Sequence, residues 1–148
     1  MKKKSDPRHR ERQLIIKQLF AQSFSPQDQR ALKEKTKEIL EIMPKIDRLI
    51  EKAAPEFSLE GINKIDLAIL RLAIFELFWD KKQPPAVIID EAVELAKEFG
   101  SQSSPKFVNG ALGAVLKKAI PKTKIQRNKV KSTSQNSKVK IQNENVKS

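Results

Sequence analysis

The sequence of 148 residues contains no cysteine and no tyrosine, only one histidine and only four glycines. The absence of cysteine excludes disulfides, zinc–thiolate sites and cysteine nucleophiles, and it fits a reducing compartment. No apolar run approaches the roughly 20 residues that a membrane-spanning helix needs. Charged residues follow the first lysines, where a signal peptide would have its apolar core. We therefore expect a soluble, cytoplasmic protein.

Few of the groups that catalyse reactions or bind metals are present. His9 is the only histidine, and we interpret it as a surface residue without a chemical role. Glu91, Glu94 and Glu98 follow one another at helical spacing, but the Glu-x-x-His pattern of a di-iron helix is missing. We interpret these three as a solvated face. No glycine-rich phosphate loop and no Ser/His/Asp set is recognisable. The sequence predicts a protein without catalytic residues, metal site or cofactor.

The net charge of +12 is concentrated at the two ends of the chain. Residues 1–20 contain seven Lys/Arg and two Asp/Glu, residues 121–148 contain eight and one, and residues 21–120 contain fifteen of each. A neutral body with basic ends favours a polyanionic partner. The alternative is that the basic ends merely increase solubility.

Proline after a capping residue marks the start of several predicted helices. Asp6-Pro7 begins the first helix, and Ser25-Pro26 begins the second, which Pro44 interrupts. Gly100 is expected to take the left-handed conformation that ends the fifth helix, and Ser104-Pro105 to cap and begin the sixth. The apolar periodicity predicts helices over about 7–23, 25–43, 46–53, 62–79, 85–99 and 105–116. No stretch alternates with period two for long enough to form a strand, so the fold class is all-α.

The composition divides the chain into one helical domain and a tail. Residues 1–120 form the predicted domain, in which residues 1–6 are a flexible basic arm. Residues 121–148 are rich in Lys, Ser, Asn and Gln and cannot bury enough apolar surface to order themselves. We expect a disordered, lysine-rich tail.

The start of the first helix is unusually basic. Arg8, Arg10 and Arg12 lie in its first turns, where the helix dipole makes cations unfavourable by some tenths of a kcal/mol each. An anionic ligand explains a cluster at such a position, and arginine-rich helices of this kind bind RNA. Lys2, Lys3 and Lys4 extend the cluster. The alternative is a solvated basic face.

Lys106 and Phe107 occupy the first turn of the sixth helix. A cation beside an aromatic ring can hold a phosphate and stack on a base. The alternative for Phe107 is the core, since it precedes an apolar stripe of Val108, Leu112 and Val115. Lys106 is therefore the safer candidate for an RNA contact.

Three motifs occur in the same order and at matching separations in a known family. They are Ile69–Leu77 (ILRLAIFEL), Asp90–Lys97 (DEAVELAK) and Lys106–Leu112 (KFVNGAL). Together with the arginine-rich start of the first helix, they resemble the NusB family of bacterial transcription antitermination factors. The resemblance covers approximately residues 7–120.

The resemblance implies an all-helical fold of two small bundles without catalytic activity. It further implies binding to single-stranded boxA RNA together with NusE, a small-subunit ribosomal protein, and indirect contact with RNA polymerase and other Nus factors. By position, Arg8, Arg10 and Arg12 match the family's RNA-binding arm, and Lys106 with Phe107 match its second RNA-facing site. Phe20 and Glu76 match positions that face NusE.

Two departures from the family and three alternatives stay open. The passage after the first helix is shorter by about one helix, and the tail beyond residue 120 lies outside the family pattern. The chain could be the NusB-like front of a ribosomal RNA cytosine methyltransferase, a basic protein that coats RNA without specificity, or a homodimer.

Overall fold

The computed structural model describes residues 6–119 except residue 57. These residues form six α-helices and no strand, which confirms the predicted fold class. The helices are Pro7–Gln22 (α1), Glu34–Glu41 (α2), Met43–Ala53 (α3), Lys64–Phe75 (α4), Pro85–Phe99 (α5) and Ser104–Ala119 (α6). The predictions for Lys2, Lys3, Lys4 and the tail 121–148 lie outside the described residues.

The capping signal at Asp6-Pro7 predicted the start of α1 correctly. The side chain of Asp6 accepts a hydrogen bond of 3.0 Å from the backbone N–H of Arg8, and Pro7 is the first residue of α1. The break predicted at Pro44 separates α2 from α3, and Pro44 lies in the first turn of α3, which begins at Met43 and not near residue 46. Proline suits this position because the first N–H groups of a helix have no intrahelical acceptor.

The predicted start of the second helix at Ser25-Pro26 was wrong. The chain there forms only a short 3₁₀ turn, Gln29–Ala31, and α2 begins at Glu34. The side chain of Gln18 on α1 explains the later start, since its Oε1 accepts hydrogen bonds from the Lys33 N–H (3.0 Å) and from the Thr36 hydroxyl (2.7 Å). A tertiary contact therefore caps α2, and a local sequence signal cannot show it.

The turn between α5 and α6 also differs from the prediction. Gly100 is extended (φ −93°, ψ −169°) rather than left-handed. A Cβ at this position would overlap the Ser104 side chain and lie 2.8 Å from the Ala96 carbonyl oxygen, so close packing requires the glycine. Ser104 is the first residue of α6 and accepts a hydrogen bond from the Ser101 N–H (2.9 Å), so it closes the turn and does not cap the helix.

Helix α4 is the central element, as its apolar sequence predicted. Helices α1, α2, α3 and α5 all pack against it. Its buried apolar residues are Leu67, Ala68, Ile69, Leu70, Leu72, Ala73, Ile74 and Phe75.

The end of the predicted central helix is π-helical. The segment Glu76–Asp80 continues α4 with this wider turn, and Lys81 ends it in the left-handed conformation (φ 57°) with its N–H donating to the Glu76 carbonyl oxygen. Short π-helical segments within α-helices are frequent at functional sites.

The chain divides into two units, residues 1–115 and 116–148. In the second unit, the described residues 116–119 are the end of α6. The predicted boundary at residue 120 stays a prediction. Among the described helices, none combines the length and the apolar character that crossing a membrane requires.

Candidate nucleic-acid interface

Two of the three predicted arginines lie on the surface at the start of α1. Arg8 and Arg10 are exposed, and 66% of the Arg8 side chain is accessible. The Arg8 guanidinium is 3.9 Å from the Asp6 carboxylate, which offsets part of its charge. The cations of this first turn therefore face solvent at the positive end of the helix dipole, where an anion would be bound favourably.

Arg12, the third predicted RNA contact, is buried inside the protein. It donates two hydrogen bonds of 2.8 Å to the carboxylate of Glu76, and a third guanidinium nitrogen lies 3.7 Å from Glu91. Burial lowers the pKa of Arg12, but the hydrogen bonds and charges of Glu76 and Glu91 outweigh it and raise the pKa overall. Arg12 is thus a charged member of an internal ion pair, in contrast to the solvent-facing Arg8 and Arg10.

Glu76, predicted to face the NusE partner, is the other half of this ion pair. It is 4% exposed and lies where α4 changes into the π-helical segment. The structure therefore gives Glu76 an internal partner 64 positions away in the chain. The ion pair joins α1 to the central helix.

The interpretation of His9 as a surface residue was wrong, and so was that of Glu91 as part of a solvated face. His9 is 3% exposed and Glu91 is 5% exposed. The His9 Nδ1 lies 3.1 Å from Glu91 and its Nε2 lies 2.8 Å from Glu98. These contacts attach the first turn of α1 to α5. Glu94 is partly exposed and pairs with Lys97, so the original interpretation fits Glu94.

Lys106, at the start of α6, is exposed beside α5. It contributes to a groove of about 550 Å³ whose α5 side contains Asp90, Glu94 and Lys97. This groove carries both signs of charge, which suits a ligand that presents hydrogen-bond donors as well as phosphates.

Phe107 is half-buried. Its exposure is therefore intermediate between that of a core residue and that of a residue that contacts RNA, the two predicted roles. It lines a second cavity of about 420 Å³ together with Lys106 and with Asn63 and Asp66 at the start of α4. The apolar stripe that follows it is buried, since Val108, Leu112 and Val115 are at most 2% exposed.

An aromatic pair marks a separate surface near the end of α1. Phe20, predicted to face a protein partner, is half-buried, and its ring meets the ring of Phe24 edge-on at a centroid distance of 4.9 Å. Phe24 is 63% exposed, and the Lys64 ammonium lies 5.7 Å from its ring centroid. Phe24 follows Phe20 at helical spacing, but α1 ends at Gln22, before Phe24.

Helix α5 connects the two basic positions. Its Glu91 and Glu98 side chains bind the start of α1, and its Asp90, Val93, Glu94 and Lys97 side chains border the start of α6. Helix α5 therefore borders the starts of both α1 and α6.

Comparison with known proteins places this architecture in a family. The family model described as "NusB family" matches residues 2–117. A transcription antitermination protein NusB of Roseiflexus castenholzii is 40% identical over 114 residues, which are 76% of this chain and 80% of the relative.

Solved structures of NusB proteins have the same fold. The T. maritima NusB structure is 36% identical, covers 79% of this chain and 95% of its own, and superposes with a TM-score of 0.66. A crystal structure of the antitermination factors NusB and NusE in complex with dsRNA contains a chain with a TM-score of 0.62 and 23% identity, covering 76% of this chain and 99% of its own. At that identity the likeness concerns the fold. The family model and the Roseiflexus relative together show that the chain belongs to the NusB family.

Proposed function

We propose that this protein is a transcription antitermination factor that binds boxA-type RNA together with a NusE protein. Support comes from its membership of the NusB family and from relatives named for antitermination. A related fold has been solved in complex with NusE and RNA. The protein acts by binding, and its contact with RNA polymerase and other Nus factors is indirect, through this complex.

The observation that carries the proposal is the contrast between neighbouring arginines on α1. Arg12 is buried and paired with Glu76, whereas Arg8 and Arg10 are exposed at the start of α1, where the helix dipole disfavours cations. A bound phosphate backbone turns this unfavourable arrangement into a favourable one. Lys106 adds a third cation beside α5 at the start of α6, and Lys2, Lys3 and Lys4 precede the cluster in the sequence.

Phe107 and Arg12 have different roles in this proposal. The half-buried ring of Phe107 borders the cavity that Lys106 also lines, so a base can reach the part of the ring that faces the cavity. Arg12 contributes by fixing α1 to α4, since its guanidinium is already bound by Glu76.

We infer that NusE binds the surface formed by Phe20, Phe24 and Lys64. Exposed aromatic rings with an adjacent cation are typical of protein interfaces. Glu76 is buried away from solvent, so its contribution to this contact is the indirect one of holding α1 against α4.

The proposal is tested by measuring RNA affinity with and without NusE. Fluorescently labelled boxA RNA, a scrambled RNA of the same composition and a boxA duplex are each titrated at one fixed salt concentration. Specific base contacts typically add a few kcal/mol to the binding free energy that phosphate contacts supply. We therefore expect NusE to increase the affinity for single-stranded boxA at least tenfold. Its effect on the scrambled strand should be much smaller.

Equal affinity for boxA and scrambled RNA in the presence of NusE would contradict the proposal and favour an unspecific RNA-coating protein. Tighter binding of the duplex would contradict the preference for a single strand. A Phe24→Ala variant provides the matched control for the partner surface, since it should lose the NusE effect and keep the affinity for RNA alone.

A further inference from the structure

His9 lies between two carboxylates, one at each ring nitrogen. Its Nδ1 is 3.1 Å from Glu91 and its Nε2 is 2.8 Å from Glu98. An ionised carboxylate only accepts hydrogen bonds, so both contacts are favourable only when both nitrogens carry a proton. A neutral imidazole would direct a lone pair at one of the two carboxylates. The geometry thus selects the imidazolium.

The charges around His9 favour the same state. From α5 it faces Glu91 and Glu98, and Arg12 of its own helix is paired with Glu76 of the π-helical segment and lies 3.7 Å from Glu91. Asp6 caps the same turn of α1, and Gln13 donates to Glu98. Four carboxylates therefore lie around two cations, of which His9 is the only one that loses its charge near neutral pH.

We propose that His9 is a positioning residue whose imidazolium holds the first turn of α1 on α5, so that RNA binding through Arg8 and Arg10 weakens as the pH rises. The expected pH dependence of RNA binding rests on the proposed function. The attachment of α1 to α5 by His9 does not depend on it.

Positioning, and not direct RNA contact, follows from burial. His9 is 3% exposed, so a phosphate cannot reach its ring, while the adjacent Arg8 and Arg10 face solvent. When the imidazole loses its proton, one of its two contacts to α5 becomes repulsive and the first turn loosens. The two arginines then lose more conformational entropy when they bind RNA, so binding is weaker.

The direction of the pH effect follows from the shift of the pKa. Burial lowers the pKa of His9, but the hydrogen bonds and charges of Glu91 and Glu98 outweigh it and raise the pKa above the ordinary value of 6.5. A raised pKa in the folded state means that the stabilisation is complete below pH 6.5 and is lost as the pH rises through the raised value. RNA affinity should fall in the same window.

The test uses the full chain and two variants. His9→Arg keeps a permanent cation at this position, and His9→Gln removes the charge. RNA affinity is measured from pH 6 to pH 8.5, and the imidazole is titrated by NMR, where the single histidine gives an unambiguous signal. Hydrogen exchange of the amides of residues 8–12 reports the order of the first turn.

We expect wild-type RNA affinity to fall about fivefold across this range, a typical size for coupling between two sites. The RNA affinity of both variants should be nearly independent of pH. The affinity of His9→Arg should be close to that of the wild type at pH 6, and the affinity of His9→Gln should be close to that of the wild type at pH 8.5. The α-amino group titrates in the same range but is common to all three proteins. Amide exchange in the first turn should accelerate with loss of the His9 proton.

Equal pH slopes in the wild type and in both variants would overturn the proposal, as would an imidazole that titrates at or below 6.5. If His9→Arg does not fold, the NMR titration of the imidazole and the pH dependence of RNA affinity in His9→Gln still test the proposal. If the wild type binds no RNA at any pH, the proposed function fails, whereas accelerated exchange in residues 8–12 upon deprotonation would still support the attachment of α1 by His9.

Discussion

Replacement of Arg12 by alanine is expected to lower the free energy of unfolding by about 3–5 kcal/mol, since removal of one partner leaves a buried charge uncompensated. Glu76 is 4% exposed and accepts both of its hydrogen bonds at 2.8 Å from Arg12. The variant would also remove the Arg12 guanidinium nitrogen that lies 3.7 Å from Glu91. Chemical denaturation at pH 7, monitored by circular dichroism, measures the loss.

The matched control is Arg8→Ala, one helical turn earlier on the surface of the same helix. Exposed substitutions of this kind usually change stability by less than about 0.5 kcal/mol. A double variant, Arg12→Met with Glu76→Leu, should recover much of the lost stability because no buried charge of this pair remains. A loss below about 1 kcal/mol in Arg12→Ala would show that Arg12 is not held in the buried ion pair.

The triple variant Arg8→Ala, Arg10→Ala and Lys106→Ala is expected to bind RNA about a hundredfold more weakly at low salt, since phosphate contacts supply much of the affinity for RNA. The dependence of log affinity on log salt should become shallower by about two units, because each phosphate neutralised on a single strand contributes about 0.7. Titrations at several salt concentrations measure both quantities.

The loss of RNA affinity in this variant should occur without a loss of stability. Removal of the two arginines from the positive end of the α1 dipole should leave stability unchanged or raise it by some tenths of a kcal/mol. Arg48→Ala with Lys52→Ala provides the control, because both residues are exposed on α3. An equal loss of RNA affinity in the control and in the triple variant would indicate unspecific attraction by net charge.

The helical architecture could be predicted from the sequence because its signals are local. Asp6-Pro7 and the apolar sequence of α4 act within a few residues of themselves, and both were interpreted correctly. The start of α2 could not be predicted in this way, since Gln18 caps it from another helix. The local signal at Ser25-Pro26 was present but was outweighed by that contact.

The buried polar cluster was missed because its members are far apart in the sequence. Arg12 and Glu76 are 64 positions apart, and His9 and Glu91 are 82 positions apart. One signal could have revealed the α1 members. His9, Arg12, Ile16 and Leu19 lie at successive spacings of three and four residues, so the apolar stripe of α1 extends backwards through two polar residues.

The three arginines differ in the position that each takes on α1. Their place in the first turns of the helix gave Arg8, Arg10 and Arg12 the same predicted role. Arg12 lies on the buried stripe with Ile16 and Leu19 and reaches Glu76. Arg8 precedes Arg12 by one turn and is exposed at the start of the helix, whereas Arg10 is exposed on the opposite face. In the same way, Glu91 lies within the buried stripe of α5 with Ile88 and Leu95, while Glu94 lies outside it.

The central claim is that the starts of α1 and α6 form one RNA-binding surface, with α5 between them. The most direct test is to follow backbone amide resonances of the isotope-labelled protein by NMR as boxA RNA is added. We predict that the amides of residues 8–11 and 106–110 shift together in one binding event, while those of residues 45–53 in α3 do not change. Shifts confined to α3, or independent events at the two helix starts, would contradict the claim.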